Sequence, residues 1–250
     1  MEGAELTPLE LIYSATALGV AGGIKGYAGI GLPMIAIPAL AMLLPMDRAI
    51  ALMVLPVLLA NLWQARNLPR ELLDNHWFSV LAVSLLLGIA GGYLLLPADS
   101  RFLSLMVGVS MTAFSLLCLT GYRLSISSSV RRPLAVVFGC TAGLIGGSTS
   151  LYGWPLVIFL SSAGLPPRQF VATISCLYLV GHLGFMLSTG LQLNLTLSGV
   201  GQSMLACGPV FVGIAAGQWL RARSGEQQLF YQLVYLLMLI GGAGLILQVL

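Results

Sequence analysis

The chain has 250 residues, of which 58% are hydrophobic and 8% are charged, and its mean hydropathy is +0.97. A soluble domain carries about 25% charged residues, so the composition excludes an ordinary soluble protein and indicates a polytopic protein of the lipid bilayer. The formal net charge of +3 comes from basic residues scattered through short loops, and no nucleic-acid partner is predicted.

The N-terminal residues include Glu2, Glu5 and Glu10 and no Lys or Arg. A signal peptide begins with a basic region, so we expect this N-terminus to be retained. The four cysteines lie in apolar stretches and form no C-x-x-C pair, a pattern typical of packing residues. No metal site, disulfide framework or cofactor is predicted.

The first apolar stretch, residues 9–44, is interrupted by a segment rich in glycine. Residues 21–33 read Ala-Gly-Gly-Ile-Lys-Gly-Tyr-Ala-Gly-Ile-Gly-Leu-Pro, and their five glycines and one proline lower the helix propensity. Unpaired backbone groups cannot face lipid, and a lysine at bilayer depth costs about 2.5–3.5 kcal/mol on the mildest scale. We therefore predict a hairpin of two half-helices, whose break and Lys25 face protein or a wet cavity.

The rest of the first half predicts three membrane-spanning helices, over residues 49–65, 77–96 and 102–122. A polar linker over residues 123–133, with four serines and three arginines, divides the chain.

The second half follows the same order. Its apolar stretch over residues 134–165 is interrupted by Gly146-Gly-Ser-Thr-Ser-Leu-Tyr-Gly-Trp-Pro155, and three spans are predicted after it. These spans cover residues 170–189, 197–220 and 229–250. The halves align at an offset near 121, at which Asn61 falls on His182. The predicted fold class is an all-α polytopic membrane protein with two repeats, residues 1–127 and 128–250, each a glycine-broken hairpin plus three transmembrane helices.

The ten arginines indicate how the broken stretches cross the membrane. If each broken stretch crosses once, the arginines divide five against five between the two sides. If each is a hairpin that returns to its starting side, eight arginines share a side and only Arg48 and Arg101 oppose them. The positive-inside rule favours the hairpins. This topology makes the halves inverted repeats whose breaks meet near the midplane, and it predicts that both termini are periplasmic in a bacterial inner membrane.

The two breaks are candidate anion sites, because the free N–H groups and the dipole of a helix N-terminus favour negative charge. Pro33 and Pro155 stand where a half-helix would restart, and proline is favoured at the first helical position. Lys25 is expected to supply the main positive charge. The candidate substrate-binding residues are Lys25, Gly26, Tyr27, Gly29, Gly31, Pro33, Asn61, Gln64, Ser148, Thr149, Ser150, Tyr152, Gly153, Pro155 and His182.

Each candidate also has a structural interpretation. The glycines could serve only close helix packing, which is the preferred interpretation of Gly213-x-x-x-Gly217. Lys25 could extend to an interface, and the amides of Asn61-Leu-Trp-Gln64 could join helices. His182 could be a buried neutral histidine instead of a substrate donor or proton carrier. Thr173, Ser175 and Tyr178 are weaker candidates, and no carboxylate lies in mid-span.

The segments Lys25-Gly-Tyr-Ala-Gly-Ile-Gly-Leu-Pro33 and Asn61-Leu-Trp-Gln64 resemble a bacterial branch of the TauE/SafE family of membrane transporters, named for sulfite and organosulfonate export. The resemblance covers essentially the whole chain. One departure is Ser148-Thr-Ser150 in the second break, where the family often has more glycine. The resemblance implies transport of a small sulfur oxyanion or sulfonate.

The sequence favours a secondary transporter of a small anion, not an enzyme, and no nucleotide-binding motif is present to drive transport by ATP. Two other classes stay open. One is an intramembrane serine hydrolase with Ser148 as nucleophile and His182 as base, although G-x-S-x-G is absent and no acid orients the histidine. The other is a non-transporting membrane or assembly subunit. The exact substrate, direction of transport, coupling ion and oligomeric state are not specified by the sequence.

Overall fold

A computed structural model describes residues 7–29, 31–66, 68, 72, 76–95, 100–121, 126–127, 129–165, 167–189, 197–223 and 228–249. These residues form eleven helices and no strand. The helices are α1 (Pro8–Ala28), α2 (Leu32–Ala41), α3 (Met46–Leu52), α4 (Val54–Ala65), α5 (His76–Leu95), α6 (Ser100–Thr120), α7 (Arg131–Thr149), α8 (Gly153–Ser161), α9 (Pro167–Thr189), α10 (Leu197–Arg223) and α11 (Gln228–Leu247).

Helix α1 continues through most of the glycine-rich segment that the sequence predicts to be broken. It starts with a capping box between Thr7 and Glu10 and ends at Gly29, the C-cap. The predicted break over residues 21–33 is therefore wrong in its first part, and α1, with 21 residues and a length of about 31 Å, is longer than the predicted half-helix. A Cβ atom on Gly22 or Gly26 would collide with the main chain of α10, so tertiary packing of these glycines outweighs their low helix propensity.

The second break is also shorter than predicted, because the preceding helix continues through its glycines. Helix α7 runs through Gly146 and Gly147 to Thr149, and α8 begins at Gly153. The predicted break over residues 146–155 is thus confined to residues 150–152. Within α7, Gly143 lies against the main chain of Leu85 in α5, and this close contact again keeps a glycine-rich segment helical.

Helix α2 runs back alongside α1. The hydroxyl of Tyr13 in α1 donates a hydrogen bond to the carbonyl oxygen of Ala39 in α2 at 2.9 Å. The ten residues of α2 extend about 15 Å, half of a hydrocarbon layer about 30 Å thick. The nine residues of α8, which packs on α7, are of similar length.

The predicted span over residues 49–65 is wrong as a single helix, because it divides into α3 and α4 at Met53. Pro56 has no N–H to bond the carbonyl of Leu52, four residues earlier. Ser203 of α10 compensates: its hydroxyl donates to the carbonyl oxygen of Leu52 and accepts from the N–H of Leu55, both at 3.0 Å. The interrupted helix is thereby anchored to α10.

Three described stretches are long and apolar enough to cross a membrane: residues 76–94, 169–187 and 199–223. They match predicted spans, although α10 extends to Arg223 beyond the predicted end at 220. Helices α6 and α11 coincide closely with the other two predicted spans. Large side chains such as Leu87 and Leu205 are 65% and 77% exposed, which is typical of a surface that faces lipid.

The most extensive helix contacts join the two halves of the chain. Helix α1 packs on α10, α5 on α7, α4 on α9, and α6 on α11. Gly213 and Gly217 of α10 lie against the main chain of Gly19 and Gly23 in α1, which confirms the packing role predicted for this pair. The two chain halves therefore share one core, and the two breaks lie inside it.

Candidate functional site

The two helix breaks line one small cavity of about 20 Å³. Its described lining comes from both breaks and from α4 and α9. The lining residues are Gly31, Pro33, Met34, Val57, Asn61, Ser150, Leu151, Tyr152, Gly153 and Tyr178.

The N-termini of α2 and α8 meet at this cavity. No side chain caps either end at its N-cap residue, Gly31 or Tyr152, and the first N–H groups of a helix have no partner within it. A Cβ on Gly153 would lie 2.9 Å from the sulfur of Met34, so the two ends are neighbours. Their dipoles and N–H groups provide a setting that favours an anion.

Pro33 is the second residue of α2 and Pro155 the third residue of α8. The prediction that each is the first helical residue is therefore wrong by one and two positions. The reason is that proline is tolerated throughout the first helical turn, where its missing N–H would have no helical partner.

The helices that lead into the breaks end with the same backbone geometry. Gly29 has φ 83° and its N–H donates to the carbonyl oxygen of Lys25 at 2.7 Å. Ser150 has φ 60° and donates in the same way to Gly146 at 2.8 Å. Among described residues, Ser150 is the only non-glycine with positive φ, a conformation that costs about 1–2 kcal/mol for an L residue.

Lys25 lies inside the protein at the last turn of α1. Its Nζ donates to Oδ1 of Asn61 in α4 at 2.9 Å, and each of the two residues is only 2% exposed. This excludes extension of Lys25 to an interface in this conformation. Because Asn61 lines the small cavity, the ammonium group lies directly behind one of its walls.

Gln64 does not line the small cavity, although it lies one helical turn beyond Asn61. Its Oε1 accepts a hydrogen bond from the hydroxyl of Ser175 in α9 at 2.9 Å. A second, larger cavity is lined by Gln64 together with Gly26 and Gly29.

His182 links the second break to α4. Its Nε2 lies 2.7 Å from the carbonyl oxygen of Val54, and its Nδ1 lies 3.1 Å from Oγ of Ser150. A carbonyl oxygen only accepts, so Nε2 carries the hydrogen, and in a neutral ring Nδ1 accepts from the serine hydroxyl. In a doubly protonated ring, Nδ1 would donate and the hydroxyl hydrogen would be free to point elsewhere.

Other predicted residues support the breaks. The hydroxyl of Thr149 donates to Ile145 at 2.7 Å and accepts from the N–H of Leu151 at 3.2 Å. The hydroxyl of Tyr152 donates to the carbonyl oxygen of Gly181 at 2.9 Å, and Tyr27 is 2% exposed. The side chain of Ser148 lies outside the described part of the structure.

Sequence reasoning missed Met34, Val57 and Leu151 as lining residues. Two of them carried a usable signal: Met34 directly follows Pro33, and Val57 lies one helical turn before Asn61 on the same face. Leu151 had none, because its place in the break depends on where α7 ends.

A family model described as Sulfite exporter TauE/SafE matches residues 14–245 of the chain. No curated protein and no solved structure matches it.

Proposed function

The chain belongs to the TauE/SafE family of sulfite exporters, and from that premise we propose a secondary transporter of a small sulfur oxyanion or organosulfonate. The family and the apolar helices make it a membrane transport protein. We further propose that it resides in a bacterial inner membrane and binds its anion between the two helix breaks.

One observation carries the proposal: two uncapped helix N-termini, one from each half of the chain, converge on the same cavity. A helix N-terminus contributes roughly half a positive charge together with free N–H donors. Lys25 stands behind the wall that Asn61 forms, and a bound anion would offset the cost of its burial.

The cavity is too small for the anion in this conformation. A volume of about 20 Å³ suits about one water molecule, which needs 10–15 Å³ on the same measure. A sulfur oxyanion has four or more heavy atoms, so binding requires α2 and α8 to move apart. Such a closed site fits an alternating-access cycle.

We propose that the halves, residues 1–127 and 128–250, are inverted repeats. Contacts that recur at regular offsets support this. Gly22 in α1 lies against Val210 in α10, and Gly143, 121 positions after Gly22, lies against Leu85 in α5. The left-handed caps Gly29 and Ser150 are also 121 positions apart.

Sulfite flux into liposomes that contain the purified protein tests the proposed function. We expect saturable flux that methanesulfonate inhibits. Gly153→Val would place a branched side chain at the meeting point of the half-helices and should abolish flux. Gly201→Val is the matched control, because a Cβ at Gly201 meets nothing within 4 Å. Saturable flux of carboxylates without flux of sulfur anions would contradict the proposal, and absence of any flux would favour a non-transporting subunit.

Among the serines whose side chains the structure describes, Ser150 contacts His182, and a hydrolase would use this serine as its nucleophile. A backbone carbonyl, not a carboxylate, orients the far side of that imidazole. Covalent labelling of Ser150 by a fluorophosphonate would favour this alternative over transport.

A further inference from the structure

A second cavity of about 630 Å³ lies where α1, α4 and α10 end and α9 begins. We call it the vestibule and define it by the polar residues that line it. They are Gln64 of α4, Arg66 at its C-cap, Gln169 of α9, and Gln218 and Arg221 of α10.

The vestibule has the chemistry of an oxyanion site. Two guanidinium groups and three amides line it, and none of its described lining residues is a carboxylate. The guanidinium of Arg66 lies 3.6 Å from the ring centroid of Trp63, a stacking contact that restricts its orientation. Arginine can hold two oxygens of a phosphate- or carboxylate-like group at once, and both arginines are exposed to incoming solutes.

The vestibule adjoins the proposed transport site. Gln64 is one turn beyond Asn61 on α4. Gly29 also lines the vestibule, and it is the C-cap of α1 at the start of the first break. The hydrogen-bonded pair of Lys25 and Asn61 adjoins the small cavity through Asn61, and the pair of Ser175 and Gln64 adjoins the vestibule through Gln64. The proposed route of the anion passes these two pairs to the half-helix N-termini.

The other half of the chain repeats only part of this lining. At an offset of 121, Gln64 and Arg66 correspond to the apolar Phe185 and Leu187, whereas Gln169 corresponds to Arg48. The polar side chains at the end of α4 are therefore specific to the vestibule.

We propose that the vestibule is a recruitment site for small oxyanions, in which Arg66 and Arg221 concentrate the anion before it enters the break site. The proposal rests on the proposed transport function and adds a second subsite to it. Both arginines belong to the set of eight that the positive-inside rule assigns to the cytoplasm, so the vestibule would open to that side.

A phospholipid phosphate offers the same chemistry. An apolar groove that includes Leu62 and Phe211 also reaches Trp63 and Arg66, and acyl chains could lie there. The experiment therefore needs one arm for a free anion and one for a lipid headgroup.

Arginine modification with phenylglyoxal, read by mass spectrometry, tests binding without requiring transport. The full chain is placed in phosphatidylcholine nanodiscs with sulfate as the probe, against sodium chloride at matched ionic strength. We expect sulfate to slow modification of Arg66 and Arg221 about tenfold, the lower end of the enrichment that a cleft of one charge sign produces. Arg223 is the matched control, since it lies two positions from Arg221, stacks on Trp219 and does not line the vestibule.

Equal modification of all three arginines with and without sulfate would overturn the proposal. A second arm adds phosphatidylglycerol to the nanodiscs. If that lipid alone protects Arg66 and Arg221 and sulfate adds nothing, the occupant is a headgroup and the recruitment proposal is wrong.

Flux measurements then distinguish a failure of the recruitment proposal from a failure of the proposed transport function. Arg66→Gln and Arg221→Gln should together raise the half-saturating sulfite concentration about tenfold and leave the maximal rate unchanged, while Arg223→Gln changes neither. Arg66→Lys should restore part of the affinity. Wild-type flux with no change in the double variant would refute the recruitment role alone. Protection by sulfate without any wild-type flux would instead refute transport and leave the oxyanion site in place.

Discussion

The two helix breaks share a backbone frame but differ in the side chains that fill it. At the first break, Lys25 occupies the turn before the cap and Gly31 follows the cap. At the corresponding positions, 121 residues later, are Gly146 and Tyr152. A Cβ on Gly146 would collide with the ring of Tyr152, so the glycine makes room for an aromatic ring at a position where the first break has Gly31.

This difference means that, if the two breaks form one anion site, each half contributes different chemical groups to it. The first break supplies the side-chain amine of Lys25, which donates a hydrogen bond to the amide oxygen of Asn61. The second supplies the pair of Ser150 and His182, and His182 occupies the position that matches Asn61. In the proposed transport site, the first half would therefore contribute a basic group and the second half two uncharged hydrogen-bonding groups.

The largest expected effect is on the membrane topology of the chain, which depends on the faces from which the two breaks enter the membrane. If they enter the membrane from opposite faces, each half has three crossings and both termini are periplasmic. A C-terminal alkaline phosphatase fusion should then be active and a fluorescent-protein fusion dark. The reverse pattern would place the C-terminus in the cytoplasm and reject the inverted arrangement.

Removal of the Lys25 charge should weaken the anion complex. We expect Lys25→Gln to cost roughly 1.5–3 kcal/mol, as for hydrogen bonds to charged groups, or about 10- to 100-fold in affinity. Lys25→Arg keeps the charge and changes the shape, so its affinity should lie between wild type and Lys25→Gln. Unchanged apparent affinity in well-folded Lys25→Gln would make Lys25 a packing residue.

The second break should be more sensitive to added volume. Gly146→Ala would displace the ring of Tyr152, and overpacking of a core typically costs about 1–3 kcal/mol. Thermal unfolding in detergent should show a lower midpoint for this variant, and Gly244→Ala is the control because its Cβ meets nothing within 4 Å. An equal midpoint for both variants would show that the ring moves at no cost.

The smallest expected effect is the difference in stability between two substitutions at Ser150, about 1–2 kcal/mol. Ser150→Ala should destabilise the protein by about 1–3 kcal/mol, because it leaves Nδ1 of His182 unsatisfied. Ser150→Gly loses the same bond but relieves a left-handed backbone worth about 1–2 kcal/mol, so it should be the more stable variant. The unfolding midpoints of the two variants check this order, and a more stable Ser150→Ala would argue against backbone strain at this cap.

Much of this arrangement could be predicted from the sequence, since glycine, proline and the repeat offset located both broken stretches. The extent of each break could not, because Gly22 and Gly26 stay helical only through their contact with α10. The sequence also does not indicate that Ser150 contacts His182, because this contact depends on where α7 ends and Ser150 becomes its left-handed cap. The division of residues 49–65 was predictable in part from Pro56, but its repair by Ser203 depends on a contact 151 positions away.

Anomalous diffraction from crystals grown in the presence of selenite, which has the shape and charge of sulfite, tests the central claim most directly. We predict a selenium peak between the N-termini of α2 and α8, with selenite oxygens about 2.7–3.2 Å from main-chain nitrogens at Met34 and Gly153. A weaker second peak in the vestibule would agree with recruitment. A peak in the vestibule alone, or no peak near either break, would contradict an anion site built from the two half-helices.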